Sequence, residues 1–210
     1  MDKKNEIQKT KLLLVEGNHE RDVFEAWLKD LKRNDIQIMP IAGKTRLREN
    51  LQSLVKQSAY PTVMNLVVVR DADDNPVAAF VSVQDALMNA GLTAPKQPWL
   101  LTEGVIPRTG IVIVPGSDRQ GALEELLLAT VADDPLATPA HAFIESAVAT
   151  LTQSGHRQPP PAHRRSKAEI HAFLATHNEP DRDPGKAALA GVWRFDHESL
   201  KALAELLAAM

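Results

Sequence analysis

Apolar and polar positions fall into blocks along most of the chain. Lys11-Leu12-Leu13-Leu14-Val15 is apolar without polar alternation, the pattern of a strand covered on both faces in a parallel sheet. Gly17-Asn18 turns the chain, Asn18 is a suitable N-cap, and Glu20 and Asp22 sit in the first turn, where the helix dipole favours acids. Val23, Phe24, Trp27, Leu28 and Leu31 then recur at helical spacing. Residues 36–42 predict a second strand ending at Gly43, and Leu47, Leu51, Leu54 and Val55 a second amphipathic helix. Leu66-Val67-Val68-Val69 is a β-branched strand that turns abruptly acidic. Asn75-Pro76 reads as a cap followed by proline at the first helical position. Val77, Phe80, Val81, Gln84, Leu87 and Met88 continue that helix, and Gly91 ends it.

Residues 92–109, with prolines at 95, 98 and 107, predict no definite element. Residues 110–114 form a fourth strand, and Leu123, Leu126, Leu127 and Val131 mark the next helix. Beyond it, residues 136–152 are an Ala-rich helix and residues 156–165 a basic, proline-rich loop. Ser166 predicts the cap of a helix reaching about His177, residues 178–186 read as turns, and Asp196 caps a last helix carrying Leu200, Leu203, Leu206 and Leu207. The alternation predicts an α/β sandwich with a mainly parallel four-stranded sheet flanked by helices, plus a C-terminal helical cap. The expected organisation is a core over residues 9–135 and a helical extension over 136–210 packed on the same domain.

Composition narrows the function. With 44% hydrophobic and 24% charged residues in 210, the chain reads as an ordinary soluble globular protein. The absence of cysteine excludes disulfides, zinc–thiolate sites, iron–sulfur clusters and cysteine nucleophiles. No apolar leader follows Met1-Asp2-Lys3-Lys4-Asn5-Glu6, so the expectation is a cytoplasmic protein. No apolar run approaches the roughly 20 residues of a membrane helix, so no membrane partner is expected. A net charge of −3 does not suit a nucleic-acid coat protein, but leaves room for a local basic surface or a metal that bridges to phosphate.

Carboxylates gather where strands end. Glu16 follows the first strand, Asp71 and Asp73 follow the third, and Glu124 and Glu125 lie on the helix after the fourth. Ligands of open α/β sheets bind beyond the carboxyl ends of the strands. On an extended chain Asp71 and Asp73 point the same way, and a helix start four residues on brings Glu20 back toward Glu16. Like charges so gathered need a cation, and Mg²⁺, which takes oxygen ligands and meets substrate phosphates, is the natural one, with Mn²⁺ as a substitute. Taken singly, the same residues have ordinary readings: Glu20 as a helix-start acid, Asp73-Asp74-Asn75 as a turn, Glu124 and Glu125 as a solvated helix face. Their joint position at strand ends is what those readings leave unexplained.

Val15-Glu16-Gly17-Asn18-His19-Glu20, with Asp71-Ala72-Asp73 half a nucleotide-binding unit later, resembles the Toprim domain of topoisomerases, bacterial primases, recombination-repair proteins and OLD-type nucleases. The Glu-Gly-x-x-Glu form looks most like the OLD-nuclease branch and a group of small stand-alone bacterial Toprim proteins of unknown function. The resemblance implies a Toprim-like fold and metal ligation by Glu16, Asp71 and Asp73, with Glu20 assisting. Gly121-Ala122-Leu123-Glu124 resembles a motif of the small stand-alone group and implies the same for Glu124. Ser166-Lys167-Ala168-Glu169-Ile170-His171-Ala172-Phe173-Leu174-Ala175 resembles a late helix of that group, and the lysine that OLD-type nucleases keep near their metals implies a catalytic role for Lys167 beside Glu16. The other reading of Lys167 is a solvated helix-start residue. The chain departs from OLD nucleases in having no ATPase half, and from topoisomerases in having Tyr60 as its only tyrosine.

Other signals are weaker. Ala42-Gly43-Lys44-Thr45 ends like a P-loop, but Ile38 stands where the pattern needs glycine and Pro40 stiffens the approach. Lys44, Arg46 and Arg48, and separately Arg157, Arg164 and Arg165, are candidates for a nucleic-acid backbone, against the blander reading of solvated surface. The histidines form no metal motif; His171 has the best case because it lies one turn beyond Lys167. The expected function is Mg²⁺-dependent phosphodiester chemistry on nucleic acid, as a nuclease. The alternatives are a non-catalytic Toprim-like scaffold working with a protein partner in a defence or repair assembly, and a receiver-like phosphoacceptor on Asp71.

Overall fold

The computed structural model describes residues 6–41 and 43–210. Four strands, β1 (Lys11–Val15), β2 (Ile36–Pro40), β3 (Asn65–Asp71) and β4 (Arg108–Val114), form one sheet in the order β2-β1-β3-β4, every pair parallel. Among the described residues eight α-helices accompany them: α1 (Asn18–Asp30), α2 (Leu47–Leu54), α3 (Pro76–Asn89), α4 (Leu123–Thr130), α5 (Ala137–Ser154), α6 (Arg165–Leu174), α7 (Pro184–Leu189) and α8 (Lys201–Ala209). The fold is α/β, with a four-stranded all-parallel sheet flanked by helices and a C-terminal helix, as the apolar blocks predict.

The missing polar alternation has a direct cause: both sheet faces are covered. Leu13, Val15, Val67, Val69, Val112 and Val114 point into a core shared with side chains of α1, α4, α6, α7 and α8. Leu12, Leu14, Leu66, Val68, Ile111 and Ile113 point into a second core closed by α2 and α3. In the first core Phe24, Trp27 and Phe195 stack in series, and Phe173 of α6 packs on Trp193. The C-terminal helices therefore supply one wall of the sheet.

Several local expectations change. The α1 N-cap is Gly17, with extended backbone; Asn18 is the first helical residue, its carboxamide oxygen taken by Arg21 at 3.2 Å. β2 stops at Pro40, and residue 42 lies outside the described residues. Asn75 caps α3 as expected, accepting from the Ala78 N–H at 2.9 Å. That helix, however, buries Ala79, Val83, Ala86 and Leu87 and leaves Val77, Val81 and Met88 exposed. It is apolar on most sides, so periodicity alone does not pick its face, and the small alanines set the approach to the sheet. Residues 99–102 run antiparallel beside β4, with Trp99 N–H donating to Ile111 O at 2.7 Å and Thr102 N–H to Thr109 O at 2.9 Å.

Ser166 does not cap α6. A 3₁₀ turn (Ala162–Arg164) leads into the helix, Ser166 is buried in its first turn with no hydrogen bond to its hydroxyl, and the helix ends at Leu174. Within residues 178–186 a six-residue helix begins, too short to show a period, started by Pro184 and capped by Asp183, whose Oδ1 accepts from Lys186 N–H at 2.8 Å. His197, not Asp196, caps the turn (Glu198–Leu200) that opens into α8.

Gly185 sits where α7 crosses α1. A Cβ there would lie 2.8 Å from both Asp22 Cβ and His19 O. Gly185→Ala is therefore expected to lever α7 off α1 and lower unfolding stability by about 1–3 kcal/mol, read from denaturant melts.

Candidate functional site

In the order β2-β1-β3-β4 the chain reverses direction of travel between β1 and β3, and such a switch point opens a crevice at the carboxyl ends of the strands. Glu16 leaves β1 there and Asp71 ends β3. Sheet alternation splits the charged side chains between the two faces. Glu16 and Arg70 fall on the α2–α3 face, where Arg70 Nε lies 3.1 Å from Glu16 Oε1. Asp71 falls on the other face, where Lys167 Nζ of α6 donates to its Oδ2 at 3.0 Å and lies 3.9 Å from Glu124 Oε1.

The backbone fixes these positions. Asp71 Oδ1 accepts from Leu123 N–H, at the start of α4, at 3.2 Å, which sets Glu124 beside it. Asp73 and Gly121 exchange two backbone hydrogen bonds of 2.8 Å, joining the loop after β3 to the loop before α4. Gln120 adds a third link to Asp74 O at 2.9 Å. Glu125 folds back to accept from Ala122 N–H at 2.7 Å, and its carboxylate fills the space beside Gly121. On α1 the Glu20 carboxylate lies over Gly17, 3.0 Å from where a Cβ would stand.

Charge at this edge is only partly balanced. Burial raises the Glu16 carboxyl above its ordinary range; Arg70 pulls against it, while Asp73 and Glu20 add to it. Burial pushes the Asp71 carboxyl up to about 8 despite Lys167, with Glu124 and Glu16 contributing. Glu124 is raised by burial too, again against Lys167. Asp73 is the exception: burial would raise it, but the hydrogen bond from Lys44 Nζ at 2.8 Å and the charges of Lys44, Arg70 and Lys167 together outweigh that and lower it. Lys167 loses solvation, yet Asp71, Glu124 and Glu20 together raise the ammonium above its ordinary value, so it stays charged.

The structure thus brings Glu16, Glu20, Asp71, Asp73, Glu124 and Lys167 within electrostatic reach of one another. It does not continue the extended alternation through Asp73, whose φ of 51° is left-handed, so Asp71 and Asp73 face different cations. Among the described residues no group of three or more Asp, Glu or His side chains is arranged to hold a metal ion. His171 is exposed. Sequence reasoning missed Arg70, whose side chain is 9% exposed, although a lone cation inside Val67-Val68-Val69-Arg70-Asp71 was a visible signal. Lys44, open to reading as a backbone contact for nucleic acid or as solvated surface, pairs with Asp73.

A family model described as "Protein of unknown function (DUF3226)" matches residues 10–210. No curated protein and no solved structure matches the chain.

Two outcomes follow from the geometry. Asp71 binds its proton more tightly folded, at about 8, than at the ordinary 3.8. The folded state then holds the extra proton between those values, so stability is highest on the acid side and declines as pH rises through the window. Glu16 and Glu124 act in the same direction. The thermal midpoint is expected to fall between about pH 5 and about pH 8, and Asp71→Asn to remove most of that slope; an equal slope in the variant refutes the assignment. Gly121 has φ of 128°, and a Cβ there would collide with Glu125. Gly121→Ala is expected to cost about 1–3 kcal/mol in denaturant melts.

Proposed function

The chain belongs to the family described as "Protein of unknown function (DUF3226)", and from its strand-end carboxylates we propose that it performs Mg²⁺-dependent phosphodiester chemistry on nucleic acid, as a nuclease with a Toprim-like site. One observation carries this reading: five carboxylates share the crevice with three cations, Lys44, Arg70 and Lys167. Fully ionised, they leave two negative charges in surplus, the charge of one divalent ion. The carboxyls of Glu16, Asp71 and Glu124 are raised chiefly by burial, with neighbouring carboxylates adding to the shift.

The donor set fits a hard cation. It is all oxygen, which suits Mg²⁺ or Mn²⁺. Glu16 Oε1 is buried and, beyond its ion pair with Arg70, receives no hydrogen bond. Glu16, Asp71 and Asp73 would hold the ion, with Glu20 and Glu124 assisting, and Lys167 would give up its present contact with Asp71. A bound divalent ion would supply a polarised water and charge neutralisation at a phosphodiester.

The chain's own groups do the rest. Lys167 is charged, half-exposed and tethered at Nζ by Asp71 and Glu124, which suits it to donate to a phosphate oxygen as negative charge develops. Arg70 is buried at the end of β3 and holds Glu16 by an ion pair of 3.1 Å. The backbone ladder between Asp73 and Gly121 holds the two acidic loops at a fixed separation.

A second reading has an observation of its own. The lysines and the arginine already close on the acids, which also suits a non-catalytic scaffold stabilised by ion pairs.

Calorimetric titration of Mg²⁺ and Mn²⁺ separates the two. Binding is expected to wild type, to strengthen with a short oligonucleotide, and to vanish in Asp71→Asn and Glu16→Gln. Lys167→Met is expected to keep metal binding while cleavage falls by about 10²–10³. A wild-type protein that takes up neither metal, with or without the oligonucleotide, leaves the scaffold reading in its place.

A further inference from the structure

Eight of the twelve arginines are anchored to a carboxylate or a carbonyl oxygen. The other four, Arg46, Arg48, Arg157 and Arg164, are exposed, and their side chains have no hydrogen bond or ion pair among the described residues. Exposed arginines are common, so their number decides nothing. Their position does.

Arg46 ends the 3₁₀ turn (Lys44–Arg46) that follows β2, and Arg48 lies in the first turn of α2. That segment is fastened to the carboxylate crevice at two points. Gly43 N–H donates to Glu16 O at 2.9 Å, and Lys44 Nζ reaches Asp73 Oδ2 at 2.8 Å. The two arginines therefore flank the crevice on the α2 side of the sheet.

Arg157 and Arg164 lie in the connection between α5 and α6. His141 of α5 meets Glu169 of α6 at 3.0 Å, and Glu145 meets Arg165 at 3.2 Å. The partners run in opposite order along the two helices, so the helices are antiparallel and residues 155–164 lie at the N-terminal end of α6. Lys167, in the first turn of that same end, reaches Asp71. The second pair therefore flanks the crevice on the opposite side of the sheet.

We propose that Arg46 and Arg48 on one flank and Arg157 and Arg164 on the other bind the phosphates of a single nucleic-acid strand that crosses the carboxyl edge of the sheet over the carboxylate crevice. The inference rests on the nucleic-acid reading above and extends it to an oligomeric substrate spanning both flanks. Acids in the crevice repel a polyanion, and cations on both sides of it offset that repulsion. Arginine presents a planar fork that suits phosphate oxygens. Contacts of this kind fix position on the strand and carry no base preference.

The test uses the full chain in excess chelator, so that no metal takes part. Anisotropy of a labelled single-stranded oligonucleotide of about 20 nucleotides is followed from about 50 to about 200 mM salt. Arg46→Ala/Arg48→Ala and Arg157→Ala/Arg164→Ala are each expected to reduce the slope of log K against log salt by about 1.4, two phosphates at about 0.7 each. The loss should be equal for oligonucleotides of different sequence. Circular dichroism checks that the exposed substitutions leave the fold intact. Unchanged slopes in both variants overturn the proposal, and so does a loss confined to one flank. Failure of the metal reading appears as no metal uptake with the slopes still responding to arginine removal, whereas failure of the track appears in the slopes whatever the metal does.

Discussion

The contact between Asp71 and Lys167 is the constraint around which the rest is arranged. Asp71 ends a central strand with both faces covered, and only 5% of it meets solvent. A carboxylate so placed needs a donor for each oxygen. One comes from Leu123 N–H, which fixes where α4 starts; the other comes from Lys167, which fixes where α6 docks. The position of Glu124 follows from the first, and the seating of Ile170, Phe173 and Leu174 in the core follows from the second. Local charge and distant packing are here one problem with one solution.

Legibility in the sequence followed physical cause. The strands were readable because a parallel strand buried on both faces leaves an unbroken apolar run, and Leu12 to Val15 and Leu66 to Val69 are such runs. Asn75-Pro76 was readable because capping is local. The α3 face was not, since Val77, Val81 and Met88 match the period as well as the buried Ala79, Val83 and Ala86. The cap at Ser166 failed because a preceding 3₁₀ turn had already started the helix.

The acids of the site were legible for the same reason as the strands: they stand where the apolar runs stop. Their cations were harder. Lys167 lies 96 residues from Asp71, a separation no pattern spans, and only resemblance to a known family suggested it. Arg70 was hidden in plain view inside a strand. Asp73 misled because alternation was extended two residues past the end of β3, into a left-handed turn that local spacing does not encode.

The late arrival of Lys167 bears on how the molecule is made. During synthesis the four strands are complete once Val114 has emerged, while the lysine follows 53 residues later. At roughly 5–20 residues per second this leaves a nascent chain for several seconds with one sheet face only part covered, α6, α7 and α8 still to come, and Asp71 at its rim without Lys167. Every half-made copy therefore carries a part-open hydrophobic wall and an unpaired acid. Docking of α6 supplies the counter-charge and begins to cover the wall, which α7 and α8 then finish.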